Sequence, residues 1–261
     1  MMPGCRMIDI FSDKGRAALR NFIDRTTLLA FDLDGTLAPI VADPSGIAIP
    51  EEINLRMARL CRLAKVAVLT GRGRNDARRY LGFEPDYVIG NHGAEGLPGW
   101  EKRSEEFTRQ CCEWEQQLRL FLPNSAEHGV TIENKGATLS LHYRNAPERD
   151  VAHREILEAI QRLEPQPISA SGKCVVNIVP DGAPHKGEAL LQIMQQAGFS
   201  TALFVGDDET DEDVFRLKNE RIFGIRVGNE PSSAAAYCLS DQKKIVNLLD
   251  EITILFGALH G

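Results

Sequence analysis

Leu28-Leu29-Ala30-Phe31-Asp32-Leu33-Asp34-Gly35-Thr36-Leu37 decides how this chain is read, because an apolar run stops abruptly at two carboxylates one residue apart. The run has the composition of a buried strand, and in an open α/β sheet ligands bind outside the carboxyl ends of the strands. Asp32 and Asp34 are therefore expected to project into a crevice, with Gly35 letting the chain turn sharply away. A carboxylate there can attack phosphorus. A second one beside it can protonate the leaving oxygen and later deprotonate the attacking water. Taken alone, Asp-x-Asp-Gly is also a common turn in which short carboxylates bond backbone amides.

Matching parts follow in order along the chain. Thr70-Gly71-Arg72 comes after Val66-Ala67-Val68-Leu69, Lys186 opens a helical stretch, and Gly206-Asp207-Asp208-Glu209-Thr210-Asp211 comes after Leu203-Phe204-Val205. With the D-x-D-G-T segment, this ordered set resembles the haloacid dehalogenase superfamily of aspartyl-phosphate phosphatases. Asp32 is then the expected nucleophile and Asp34 the acid/base. A carboxylate approaching a phosphate dianion meets severe repulsion in a pocket of low dielectric, which calls for a cation. Magnesium takes oxygen ligands and keeps several waters, so Asp32, the backbone carbonyl of Asp34 and Asp207 form the expected site, supported by Asp208 and Asp211. The same acidic cluster also suits a helix start, where the dipole favours negative charge. Thr70 and Lys186 are expected to bond the transferring oxygens, and Lys186 to hold Asp32 ionised. A lysine opening a helix is unfavourable to the dipole, so it needs a carboxylate partner. Arg72 fits either a phosphate contact or cover for a helix end.

Length and composition bound the alternatives. The 261 residues suffice for a large core, and 43% hydrophobic with 26% charged residues is the balance of a globular α/β enzyme. A formal charge of -7 offers no electrostatic footprint for nucleic acid. Neither a bilayer-spanning apolar stretch nor a signal-peptide pattern over Met1 to Arg20 is legible, so no membrane is expected and the expected location is the cytoplasm. The six cysteines lack C-x-x-C spacing, which leaves them without zinc or redox chemistry. Cys61, on a helix face, and Cys174, at a strand start, are expected in the core.

Organisation supports one core interrupted once. From Leu28 to Gly90, and again after Lys186, strands alternate with helices, the grammar of a parallel sheet. Between these runs, Trp100 to Leu122 reads as a long amphipathic helix and Gly129 to Arg144 as two alternating strands around Asn134-Lys135-Gly136. A helix over about Pro147 to Leu163 and a third strand from Cys174 to Val179 follow. The expectation is a Rossmann-like parallel-sheet core over 1–98 and 183–261 with an α+β cap over 99–182. A cap between the second and third motifs is also what the superfamily resemblance implies.

The cap bears on the substrate. A period of two puts Thr131, Glu133 and Lys135 on one strand face, and Thr138, Ser140, His142 and Arg144 on one face of the next. Such a polar face is either solvated or holds a hydroxyl-rich ligand. Asn91-His92-Gly93-Ala94-Glu95, Glu133-Asn134-Lys135-Gly136, Leu141-His142-Tyr143-Arg144 and Gly172-Lys173-Cys174-Val175-Val176 resemble the trehalose-6-phosphate phosphatase family. The resemblance implies that Glu133 and Lys135 contact the sugar that does not carry the reactive phosphate. It further implies substrate contacts from Gly71, Arg72 and His92 in the core, and from Arg144 and Asn177 in the cap. Where the family usually carries the Glu of G-K-x-V-V-E, this chain has Asn177, which lacks a charged acceptor. The expected activity is that of a monomeric phosphoric monoester hydrolase, converting trehalose 6-phosphate to trehalose and phosphate with Mg2+ in trehalose biosynthesis. The alternatives are a sucrose-phosphate or glycosyl-phosphoglycerate phosphatase, a phosphomutase, or a sugar-phosphate sensor without turnover.

Overall fold

A computed structural model describes residues 7–41, 46–123, 125, 127–172 and 174–260. Cys5 and Lys173, the latter within the G-K-x-V-V segment, lie outside the described residues. The chain forms two compact units, with breaks between Gly93 and Ala94 and between Ala183 and Pro184.

The first unit opens with β1 (Ile8–Asp9), α1 (Asp13–Phe22), β2 (Thr27–Phe31), α2 (Glu51–Leu60), β3 (Val66–Leu69), α3 (Arg74–Tyr80) and β4 (Tyr87–Ile89). After the second unit it resumes with α6 (Lys186–Ala197), β9 (Thr201–Gly206), α7 (Glu212–Phe215), β10 (Ile222–Val227), β11 (Tyr237–Leu239) and α8 (Ile245–His260). Its strands make one seven-stranded sheet in the order β1-β11-β10-β9-β2-β3-β4. Every pairing is parallel. All five residues of β2 are buried, as befits a central strand covered on both faces. From β2 the chain winds to β3 and β4 on one side, whereas β9, β10 and β11 wind away on the other. The order therefore reverses between β2 and β9, and a crevice opens at such a switch point. Leu29, Phe31, Val68, Leu203, Val205 and Ile225 pack into one core with Met57 and Leu60 of α2 and Leu248, Leu249, Ile252 and Phe256 of α8. Fully burying each such side chain stabilises by roughly 1.5–3 kcal/mol before chain entropy is counted.

The second unit contains α4 (Glu101–Phe121), β5 (Thr131–Asn134), β6 (Leu139–His142), α5 (Arg149–Ile160), β7 (Ile168–Gly172) and β8 (Val175–Val179). Its four strands pair antiparallel in the order β5-β6-β8-β7. Leu139 and Leu141 of β6 and Val176 and Ile178 of β8 turn one sheet face onto Cys111, Trp114 and Leu118 of α4 and Ile156 and Ile160 of α5. The fold is thus mixed α/β, a parallel sheet interrupted by a small antiparallel α+β unit.

Three expectations need correction. Cys174 does not begin a strand in the core: it lies between β7 and β8 at φ 60 and is half-buried, because β7 pairs with β8 from Gly172 opposite Val175. Arg144 does not share the face of β6, which ends at His142, and lies beyond it with its side chain exposed. Cys61 caps the end of α2, one position past the helix, and packs half-buried against the core rather than within it. Among the described residues, no helix is long and apolar enough to cross a membrane.

Candidate active site

Asp32 follows the last residue of β2 and is 4% exposed, with its backbone N–H donating to the carbonyl of Val205 on β9 at 2.9 Å. This bond sets the acid at the mouth of the switch point. Lys186, the first residue of α6, is almost fully buried and donates from Nζ to Oδ1 of Asp32 at 2.8 Å and Oδ1 of Asp211 at 2.7 Å. Its place is fixed by His185, whose Nδ1 accepts from the N–H groups of Gly187 and Glu188 at 3.1 and 3.3 Å. Glu188 reciprocates by accepting the His185 N–H at 3.2 Å, closing a capping box. The two carboxylates offset both the ammonium and the positive helix end behind it.

The segment after β9 bends back on itself. Oδ2 of Asp211 accepts the N–H groups of Asp207 and Asp208 at 2.7 and 3.0 Å, and Gly206 leaves room for it, since a Cβ there would strike the Asp211 side chain. Asp207 receives a bond from Thr36 Oγ1 at 3.2 Å. Gly35 sits at φ 83, and a Cβ on it would collide with the Asp207 carboxylate. Glycine is thus required there both by the backbone and by the approach of the acid. One carboxylate oxygen from each of Asp32, Asp207 and Asp211 lies within 4.8 Å of the others. An all-oxygen set of this kind suits a hard divalent cation such as magnesium and offers no nitrogen or sulfur to zinc.

Charge in this cluster is far from ordinary. Burial raises Asp32 well above the usual carboxylate range, against the pull of Lys186. Burial, then the fields of Asp211 and Asp208, pushes Asp207 up to about 7. Burial works against the Lys186 ammonium, yet Asp211 and Asp32 hold it raised and charged. A cation added among these acids would relieve repulsion that a single lysine leaves in place.

Asp34 faces a different neighbour. Its carboxylate is gripped by both prongs of Arg72, at 2.8 Å from Nε and 2.7 Å from Nη2, while Nη1 reaches Asp76 at 3.1 Å and the guanidinium lies 4.9 Å from the Tyr80 ring centroid. Thr70 is fully buried, and its hydroxyl accepts the Arg72 N–H at 3.2 Å. His92 has left-handed backbone at φ 58, and its ring lies where a Cβ on Gly71 would be. Thr70, Gly71, Arg72 and His92 therefore gather after β3 and β4, in the same unit as Asp32.

In the second unit two of the sugar-contact candidates, Glu133 and Asn177, share one sheet row. Glu133, Ser140 and Asn177 stand opposite one another across β5, β6 and β8. Glu133 accepts from or pairs with His142 at 2.8 Å and lies 3.7 Å from Lys135, and Ser140 donates to Oδ1 of Asn177 at 2.7 Å. Thr138 and Ser140 are buried rather than solvated. Arg144 stands apart from this row.

Several participants carry no flag in the motifs. His185 as a cap and Thr36 as a donor to Asp207 depend on folded geometry. Arg226 on β10 bonds the carbonyls of Asp207 and Asp208 and the carboxylate of Glu212. The one available signal was a lone arginine inside the apolar strand Ile222-Phe223-Gly224-Ile225-Arg226-Val227.

Known proteins place this geometry in a family. The trehalose-phosphatase profile matches residues 30–242. A trehalose-6-phosphate phosphatase of Escherichia coli K12 is 33% identical over 201 residues, covering 76% of this chain and 75% of that protein. The crystal structure of a trehalose-6-phosphate phosphatase related protein superposes with a TM-score of 0.74 at 22% identity, covering 90% of this chain and 100% of the other. A haloacid dehalogenase-like hydrolase from Bacteroides thetaiotaomicron has the same fold, with a TM-score of 0.59 at 14% identity over 87% of this chain and 99% of its own. The fold is HAD-like, and with a profile match running from β2 to the start of the last helical segment, the chain belongs to the trehalose-phosphatase family of phosphatase enzymes.

Proposed function

We propose that this protein hydrolyses trehalose 6-phosphate to trehalose and inorganic phosphate through an aspartyl phosphate on Asp32, with magnesium held by Asp32, Asp207 and the neighbouring acids. The observation that carries the reading is the convergence of Asp32, Lys186, Asp207 and Asp211 at the β2/β9 switch point in a member of this family. Lys186 engages Oδ1 of Asp32, which leaves Oδ2 as the attacking atom. As the Asp32 O–P bond forms, the P–O bond to the sugar breaks and Asp34 gives the departing oxygen its proton. Asp34 then takes a proton from water, the water oxygen bonds phosphorus, and the Asp32 O–P bond breaks to release phosphate. Arg72 grips Asp34, and its proposed role with substrate is to bond the phosphoryl oxygens. Thr70 and Lys186 bond those oxygens as charge develops on them. Bound magnesium supplies charge neutralisation that one ammonium cannot.

Glu133 and Lys135 are proposed to contact the sugar that does not carry the phosphate, with Arg144 and Asn177 as further substrate contacts of that unit, and Gly71 and His92 as substrate contacts of the first unit. Asn177 supports a second reading, a related sugar phosphate ester: it is a neutral amide whose oxygen already accepts from Ser140, and it offers no charged acceptor where the family usually presents an acid. The test is phosphate release, with magnesium, from trehalose 6-phosphate, sucrose 6-phosphate, glucosyl phosphoglycerate and a small aryl phosphate. The proposal expects the highest kcat/KM on trehalose 6-phosphate. Preference for another sugar ester would establish the second reading, and no turnover of any ester would overturn both.

A further inference from the structure

Arg226 is an expensive residue to place where it is. It lies on β10 opposite Gly206, the last residue of β9, and is 9% exposed, while its ionic partner Glu212 at the start of α7 is 4% exposed. A buried pair of this kind loses more hydration than it regains unless its geometry is good, and an apolar side chain is often the more stable choice for such a position. Here the geometry is good at both Nη atoms, while Nε is buried without a partner. Nη1 of Arg226 donates to Oε1 of Glu212 at 2.7 Å and to the carbonyl of Asp208 at 3.0 Å, and Nη2 donates to the carbonyl of Asp207 at 2.5 Å. Glu212 is itself saturated, since Oε1 also accepts from Ser233 Oγ at 2.6 Å and Oε2 from the Ala234 N–H at 2.8 Å.

The consequence falls on two peptide groups. The N–H groups of Asp207 and Asp208 are held by Asp211, and their carbonyls are held by Arg226. With both edges of the backbone pinned, the Cα–Cβ direction of Asp207 is set toward Thr36 and Asp32. Arg226 brings a second buried positive charge to an acidic loop, yet on Asp207 and Asp208 it takes the carbonyl oxygens and not the carboxylates.

We propose that Arg226, locked by Glu212, is a positioning residue that presents Asp207 to a divalent cation. This rests on the magnesium-dependent reading above. The experiment compares parent protein with Arg226→Met, Arg226→Lys and Glu212→Gln in two measurements. The first is calorimetric titration of chelator-treated protein with magnesium alone. The second is hydrogen exchange of the Asp207 and Asp208 amides in chelator, which requires no metal. The expected result is an affinity for magnesium at least tenfold weaker in Arg226→Met, partly recovered in Arg226→Lys, with faster exchange confined to the segment after β9. Glu212→Gln is expected to fall between parent and Arg226→Met, and it carries the test if Arg226→Met does not fold. Parental affinity and parental exchange in the variants would overturn the clamp. A parent that fails to bind magnesium would overturn the metal reading, and exchange then reports on the backbone clamp separately.

Discussion

At Lys186 one ammonium answers two buried carboxylates, Asp32 and Asp211, and all three are almost fully withdrawn from water. Removing it leaves two acids facing each other without a counter-charge. Lys186→Met is therefore expected to abolish turnover and to destabilise the fold by about 3–5 kcal/mol, the cost typical of breaking a buried ion pair from one side. Urea denaturation in chelator checks the second part, and parental stability there would mean the pair is not what holds α6 against β2. Two thiols give a pH-dependent prediction. Burial pushes Cys61 up to about 11 and Cys111 up to about 12 from an ordinary 9.0. Their raised values favour the folded state fully below pH 9.0, and that contribution is lost as pH rises through about 11 and 12. Alkylation of native protein at pH 8 to 9 is accordingly expected at exposed Cys112 and to be slow at Cys61 and Cys111, as peptide mapping would read. Rapid labelling of Cys111 in the native state would contradict its burial.

At the scale of elements, strands rich in branched apolar residues were the most legible. Ile222 to Val227 is β10 to the residue, and the ends of β2, β3 and β9 fall within one residue of where the pattern stops. β7 escaped because Ile168-Ser169-Ala170-Ser171-Gly172 offers a single large apolar side chain, and a strand at a sheet edge draws its stability from its partner, here β8. Short β1 and β11 escaped for a similar reason, being held by parallel pairing to each other and to β10 rather than by local pattern. The candidate site divides the same way. Asp32, Asp207, Asp211 and Lys186 stand at strand or helix ends where position alone implies exposure to a crevice. Arg226 and Glu212 act through contacts that exist only once β9 and β10 are side by side, and His185 through a cap that forms only when α6 does. Glu133 on β5 and Lys135 just past its end are the proposed sugar contacts. Glu133→Ala and Lys135→Ala are each expected to lower kcat/KM on trehalose 6-phosphate by about one to two decades, the equivalent of roughly 1.5–3 kcal/mol per lost bond to a charged group, while sparing a small aryl phosphate. Equal losses on both substrates would indicate damage to the catalytic core.

For the whole molecule, the division of labour follows from the two sheets. A parallel sheet delivers side chains to one crevice at its reversal point, and that unit alone contains Asp32, Asp34, Thr70, Lys186 and the acidic loop after β9. The antiparallel sheet of the inserted unit keeps one face for its own core and frees the other for polar side chains. Strand order, and hence the meeting of Asp32 with Asp207, was not readable from local pattern, because it is a product of long-range pairing. The proposed path takes the phosphoryl group through Asp32. Its most direct test is mass spectrometry of Asp34→Asn protein quenched in acid soon after mixing with trehalose 6-phosphate and magnesium. A phosphoryl adduct is expected on the peptide containing Asp32, absent when Asp32 is also replaced by Asn. An adduct on any other residue, or turnover persisting in the Asp32→Asn protein, would contradict it.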